Sequence, residues 1–234
     1  MNITPKHCAF TLAEVLITLG IIGVVAAITL PTLINQYEKK ITVVKLKKAY
    51  NTLANIAQRG YLDNGNVTNT GSVTADNTKE FFDKYWLPYL NNPKVSPNGI
   101  YPYGKGIAYT SRDGRPYDTN IYTYYWHGRI FFTTSEGISY FVICMYWDTD
   151  TNGNTVAKFN TYQTVFVDLN GTKPPNTFGK DVFYFTISFT ENVVRPNGYN
   201  TSKSTINATC QTTGLYCAAK IIADGWKIKD DYLW

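Results

Sequence analysis

The first strong pattern along the chain is an apolar run with one charge in it. Residues Phe10 to Leu30 read FTLAEVLITLGIIGVVAAITL, and Glu14 is the one charged residue among these 21. A helix rises ~1.5 Å per residue, so the run spans ~30 Å, the hydrocarbon thickness of a bilayer. After it the pattern becomes one-sided. From Leu33 to Ala57 the apolar positions Ile34, Tyr37, Ile41, Val44, Tyr50, Leu53 and Ala57 recur in steps of three and four. That spacing lines one face of a helix, with charged and amide residues over much of the rest. Gly60 and the run Asp63-Asn64-Gly65-Asn66 are the expected stop. Together the two stretches predict one helix of about 50 residues, ~75 Å long.

Past that helix the period shifts. A second helix is expected over about 76–90, with Asp76 or Thr78 as its cap and Phe81, Phe82, Tyr85 and Trp86 on its buried side. Residues 91–120 are rich in Gly, Pro, Asn and Tyr and read as a long loop. Strands are expected over 120–126 and 129–135, flanking His127-Gly128. A strand over 138–147 is apolar on both faces and so central in a sheet. Residues 155–168 lead into an Asn170-Gly171 turn. In 180–189, Phe183, Phe185, Ile187 and Phe189 share one strand face. A last short helix spans roughly 215–223 and ends near Gly225. A long helix packed on an antiparallel sheet is an α+β fold.

Composition sharpens this picture in places. Apolar residues make up 44% and charged residues 17% of the 234, which suits a packed core. The 19 Tyr fit half-exposed sheet faces. The net charge is +5, much of it from Lys39, Lys40, Lys45, Lys47 and Lys48. The remainder is near neutral, unlike a dedicated nucleic-acid binder.

The apolar run differs from a secretory signal peptide. Lys6 supplies a basic start, but the run is too long and Glu14 is out of place near its beginning. Ala9-Phe10-Thr11-Leu12-Ala13-Glu14 resembles the cleavage and methylation site of type IV prepilins and type II secretion pseudopilins. The resemblance covers about the first 50 residues. It implies cleavage between Ala9 and Phe10, N-methylation of Phe10, and Glu14 as the assembly residue. Gly23 and Pro31 fall where pilins carry helix-weakening residues. Ala9 stands where the family usually has glycine. The head segments VDLNGTKPPNTFGKDVF and CAAKIIADGWKIKDDYLW resemble those of some prepilin-like proteins.

The implied organisation is a leader at 1–9, a transmembrane and assembly helix at 10–34, its amphipathic continuation at 35–60, and a pilin-like head at 61–234. The implied partners are other pilin or pseudopilin subunits, a prepilin peptidase, an inner-membrane assembly platform, and the lipid bilayer before assembly. No nucleic acid is expected. The chain would cross the inner membrane once with its head outside the cytoplasm, and after assembly would lie in an extracellular or periplasmic filament. A minor pilin that binds surfaces, DNA or cargo, and a plain membrane-anchored envelope protein, are the alternatives. The positive-inside rule alone would put the lysine cluster in the cytoplasm, whereas the prepilin reading puts it outside. There it is a solvated face, or a contact for anionic headgroups or an acidic neighbouring subunit.

Other chemistry is thin. Asp148-Thr-Asp150-Thr-Asn152-Gly153 matches the start of a calcium loop, but Phe159 stands where the closing bidentate carboxylate belongs. A polar hairpin turn is the competing reading, and no resident cofactor is expected. Asp168-Leu-Asn170-Gly171 is a weaker candidate of the same kind. His127 is the one histidine left after processing, and no nucleophile elbow or phosphate loop accompanies it, so no enzyme is expected. Cys210 and Cys217 are close enough in sequence for a disulfide in an oxidising compartment. Cys144 lies in the most apolar strand as a buried thiol, and a Cys144 bridge to either of the others is the alternative pairing.

Overall fold

The computed structural model describes residues 11–65, 67, 75–96, 109–117, 128–171 and 173–234, with backbone alone for 75, 76, 146–148 and 157–161. Compactness divides the chain into two units, one reaching to Ile41 and one starting at Thr42. Helix α1, Leu12–Asn64, runs through both. It runs through Gly60 and ends within the expected stop Asp63-Asn64-Gly65-Asn66, where Gly65 turns to φ +72°. That positive φ is the left-handed conformation glycine adopts after a helix.

The second unit begins with the later part of α1. Its buried positions are Leu46, Ala49, Leu53, Ile56, Ala57 and Gly60. This face differs from the stripe the sequence suggests. Leu53 and Ala57 are on it and Tyr50 packs at its border, but Val44 is 64% exposed. Gly60 is a packing residue rather than a terminator. A Cβ there would lie 2.7 Å from a Phe189 ring carbon and 3.0 Å from the Tyr85 carbonyl oxygen. Lacking that atom, α1 comes close to the Phe189 ring and to the last residue of helix α2, Ala75–Tyr85.

Helix α2 is shorter than expected. Pro88 follows it within a 3-10 turn, Leu87–Tyr89, so the chain leaves the α-helical path early. Phe81, Phe82, Tyr85 and Trp86 are buried as the pattern predicts. Thr78 caps nothing, because it lies inside α2 and its Oγ1 accepts from Gly128 N at 3.0 Å. The side chain of Asp76 lies outside the described residues.

The described sheet has six strands in sequence order, each antiparallel to the next. They are β1 (Lys94–Val95), β2 (Arg129–Thr133), β3 (Ser139–Thr149), β4 (Thr155–Asp168), β5 (Val182–Ser188) and β6 (Val193–Pro196). Register sets Val142 opposite Val165 and Val165 opposite Phe185. Alternate residues therefore line two faces. On one face Phe132, Tyr140, Val165, Phe183, Phe185 and Ile187 join the core that holds α1 and α2. On the other, Phe141, Phe166 and Val182 pack with Tyr109 and Phe178. This explains why β3 is apolar on both sides, as its sequence implies. The strand expected over 120–126 lies outside the described residues, as does His127.

Two regions depart from expectation. β4 leads into the turn at Asn170-Gly171, where Gly171 takes φ +69°, but the connection is longer than that turn, with residues 169–181 between β4 and β5. Carboxylates organise this loop. Asp181 accepts from Asn176 N at 2.8 Å, Thr177 N at 2.6 Å and Asn170 Nδ2 at 3.0 Å. Asp168 accepts from Tyr109 Oη at 3.0 Å and Asn170 N at 3.1 Å. After β6 comes a helix the sequence reading omits, α3, Lys203–Thr212, capped by Ser202 Oγ accepting from Thr205 N at 3.2 Å. Helix α4, Cys217–Ala223, follows, and Cys210 and Cys217 are joined with Cα atoms 4.6 Å apart. Gly214 (φ +82°) makes the turn between them, where a Cβ would meet the Phe178 carbonyl.

The tail folds back on α4. Lys220, whose side chain is 2% exposed, donates to Asp231 at 2.7 Å and Asp224 at 3.1 Å. Burial works against its charge, but the two carboxylates outweigh that and hold the ammonium above its usual range. Tyr232 is buried, donates to the Gly179 carbonyl and stacks under Arg112, whose guanidinium is 4.3 Å from its ring centroid. Cys144 is buried as expected and is the one free cysteine among the described residues. Burial pushes its thiol up to about 12.

Candidate functional site

The first unit carries the candidate site. Residues 12–41 of α1 keep their large apolar side chains in the open. Leu16 is 61% exposed, Ile22 62%, and Ile28 70%. None of residues 12–41 is buried among the described residues. Exposed apolar surface on this scale marks contact with a membrane or a partner. Among the described residues α1 is the one helix long and apolar enough to cross a bilayer.

Its polar groups are looked after locally. Thr18 Oγ1 donates to the Glu14 carbonyl at 2.9 Å and Thr29 Oγ1 to the Val25 carbonyl at 2.9 Å. Both hydroxyls are therefore satisfied inside the helix, as an apolar medium demands. Gly23 and Pro31 both lie within the continuous helix. Pro31 cannot donate to the Ala27 carbonyl, so one link of the ladder is missing there.

Glu14 is placed by a reciprocal arrangement in the first turn. Its Oε2 accepts from Thr11 N and Thr11 Oγ1, each at 2.8 Å. Its own N–H donates to Thr11 Oγ1 at 3.2 Å. This is a capping box, Thr-x-x-Glu, and the carboxylate also sits at the positive end of the helix dipole. The spacing was present in the sequence, but the reading treated Glu14 as a lone charge. Helix geometry thus fixes the carboxylate beside the chain segment that leads in from Phe10. Ala9 and Phe10 lie outside the described residues.

The lysine cluster is not one solvated face. Lys45 Nζ donates to the Leu169 carbonyl at 3.1 Å, Lys47 lies over the Trp226 ring at 5.9 Å, and Lys48 pairs with Glu136 at 3.2 Å. Three of the five are thus tied into the second unit.

The loop suggested for calcium is a self-satisfied turn at Asp150. Its Oδ1 accepts from Asn152 N at 2.9 Å and Asn154 N at 2.8 Å, and its Oδ2 from Asn154 Nδ2 at 3.1 Å. The side chain of Asp148 lies outside the described residues. Among the described residues no group of three or more His, Cys, Asp or Glu is placed to hold a metal ion.

Comparison with known proteins bears on the amino-terminal segment alone. The model of the prokaryotic N-terminal methylation motif matches residues 4–30. No curated protein and no solved structure matches the chain. The matched residues contain the Ala9-Phe10 junction, Glu14 and the apolar first part of α1. The chain therefore carries a prepilin-type cleavage and methylation segment at the start of a long apolar helix.

Proposed function

We propose that this protein is a structural subunit of a type IV pilus or a type II secretion pseudopilus. In this reading a prepilin peptidase cuts between Ala9 and Phe10 at the cytoplasmic face of the membrane. The new amine at Phe10 is methylated and keeps its positive charge. The helix holds the subunit in the bilayer, and the same apolar surface then packs against neighbouring subunits in a filament outside the cytoplasm.

The observation that carries the reading is the combination in residues 11–41. An apolar surface is left uncovered by the rest of its unit, and the one acidic side chain in its membrane-length part is held at the helix start. A plain anchor needs the first feature and gains only a capped helix start from the second, whereas a filament subunit also gains a carboxylate that can meet a partner's amine. Glu14 is assigned the role of drawing in the amine of an incoming subunit, which sets axial register. In a low-dielectric setting each of these charges gains from the other.

Mass spectrometry of the purified protein tests processing. The expected result is loss of nine residues with an added methyl group on Phe10. An intact Met1 terminus refutes it. Glu14→Gln tests assembly, since it keeps shape and removes charge. Membrane level and cleavage should be unchanged while incorporation into sheared filaments is lost. Wild-type incorporation by the variant would remove Glu14 from assembly.

A further inference from the structure

The second unit contains an open groove of about 490 Å³ that the assembly reading does not use. One wall is the side of α1 that carries Lys47, Lys48, Asn51 and Asn55. The opposite wall is Tyr89 and Asn91, at and after the 3-10 turn, and Glu136 of the β2–β3 turn closes one end. Its size is in the range of small-molecule sites, ~300–1,000 Å³.

The charges in this groove nearly cancel, two lysines against one glutamate. Lys48 is paired with Glu136 at 3.2 Å, and the Lys47 ammonium lies over the Trp226 ring. The remaining polar groups are neutral. The side-chain amides of Asn51, Asn55 and Asn91 form no hydrogen bond among the described residues. Asn51 and Asn55 are four residues apart on one helix face, so their amides stand ~6 Å apart along the groove. Each amide offers a donor and an acceptor side by side.

Tyr89 is fixed in place rather than free to swing. Its Oη donates to Asp63 Oδ2 at 2.9 Å and accepts from Asn64 Nδ2 at 3.1 Å, and the Arg59 guanidinium lies 5.4 Å from its ring centroid. A rigid ring, with Val44 and Leu90 nearby, supplies small apolar patches between the amides.

We propose that this groove binds a neutral oligosaccharide. A sugar presents adjacent hydroxyls, each donor and acceptor, which match the two sides of an asparagine amide. Its C–H faces suit a fixed aromatic ring and isolated aliphatic patches. A phosphate or a sulfated polymer would need unpaired cations, and here the lysines are engaged. An extended peptide added to a sheet would need an open strand edge, whereas one wall here is a helix side. The inference does not depend on assembly, because the groove and its ligand are independent of Glu14.

Calorimetry on the detergent-solubilised full chain tests it with maltohexaose, cellohexaose, chitohexaose and mannohexaose as probes. The expected result is saturable binding of at least one. The Asn51→Ala, Asn55→Ala double variant should weaken it about tenfold or more, the scale of two lost amide partners. Both side chains are exposed, so the variant should keep the thermal transition of the parent. Asn51→Gln, Asn55→Gln keeps the amides and should restore part of the binding. The proposal is overturned if none of the four sugars binds saturably, or if the alanine variant binds as the parent does. It is also overturned if a heparin hexasaccharide binds better than every neutral probe. The same holds if the alanine variant loses chain self-association while sugar binding is unchanged, since the groove would then be a subunit contact.

Discussion

Helix α1 passes through two different environments, and its residues change accordingly. In residues 12–41 apolar side chains point in every direction and stay exposed, Ile22 and Val24 as much as Leu16. In residues 42–64 a single stripe, Leu46 to Gly60, is buried, and the rest is mostly polar with Val44 and Leu62 exposed among it. The same backbone element therefore obeys two rules. Up to about Ile34 the helix suits a surround that is apolar all round, and from Thr42 it suits a core on one side and water on the other. The two stretches differ in the angular distribution of their apolar residues as well as in their number.

The strongest test of this contrast is a pair of equal truncations. Leu53→Ala should cost the second unit about 2–5 kcal/mol, as large-to-small changes in a closed core do. Ile22→Ala should leave the thermal transition of the head unchanged, because Ile22 is 62% exposed in the single chain. Thermal denaturation of both variants in detergent checks this. Equal losses would mean that the first stretch is also part of the folded core.

A smaller effect is expected from the covalent link. Replacing Cys210 and Cys217 by serine should lower stability by about 2.5 kcal/mol in the chain-entropy account of a short loop. Peptide mapping under non-reducing conditions should find the 210–217 pair, with Cys144 as a free thiol. A Cys144 bridge would overturn the pairing. This change too should leave the first stretch of α1 untouched.

A third effect is spread over a range of pH. Burial raises the Asp168 carboxyl to about 7, opposed by the Asn170 N–H and reinforced by the Asp181 carboxylate. Burial raises Asp181 as well, and Tyr109 and Lys45 are the other titratable groups nearby. The folded chain then holds a proton, between the ordinary 3.8 and about 7, that the unfolded chain has released. Stability from this group falls as pH rises through that window, and the cost is complete above it. The slope is at most about 1.4 kcal/mol per pH unit. Asp168→Asn should flatten the dependence of Tm on pH across the window. An unchanged slope would remove Asp168 as its source.

Strong periodicity made part of this fold legible. The all-round apolar run and the alternation Phe183, Phe185, Ile187 are signals that few other arrangements can satisfy, and both elements occur. Element α3 was missed because just Ile206 and Cys210 of its ten residues are buried, too few to print a stripe. Strand β6 was missed because it is four residues long and ends in Pro196. Gly60 and Thr78 were misread because their roles depend on what lies opposite, Phe189 for one and Gly128 for the other. At the candidate site Glu14 was legible as an anomaly. Its bonding to Thr11 was not, although Thr-x-x-Glu was in plain view.

The core of the second unit joins residues far apart in synthesis. Leu53 lies in the same buried cluster as Ile221 and Tyr232. A ribosome adds ~5–20 residues per second, so roughly ten to forty seconds separate the two ends of that cluster. Throughout this interval the apolar start of the chain is already available to the membrane, and the head cannot yet close. In the membrane-anchored reading, insertion of the apolar segment therefore begins before the residues that complete the head core have been made.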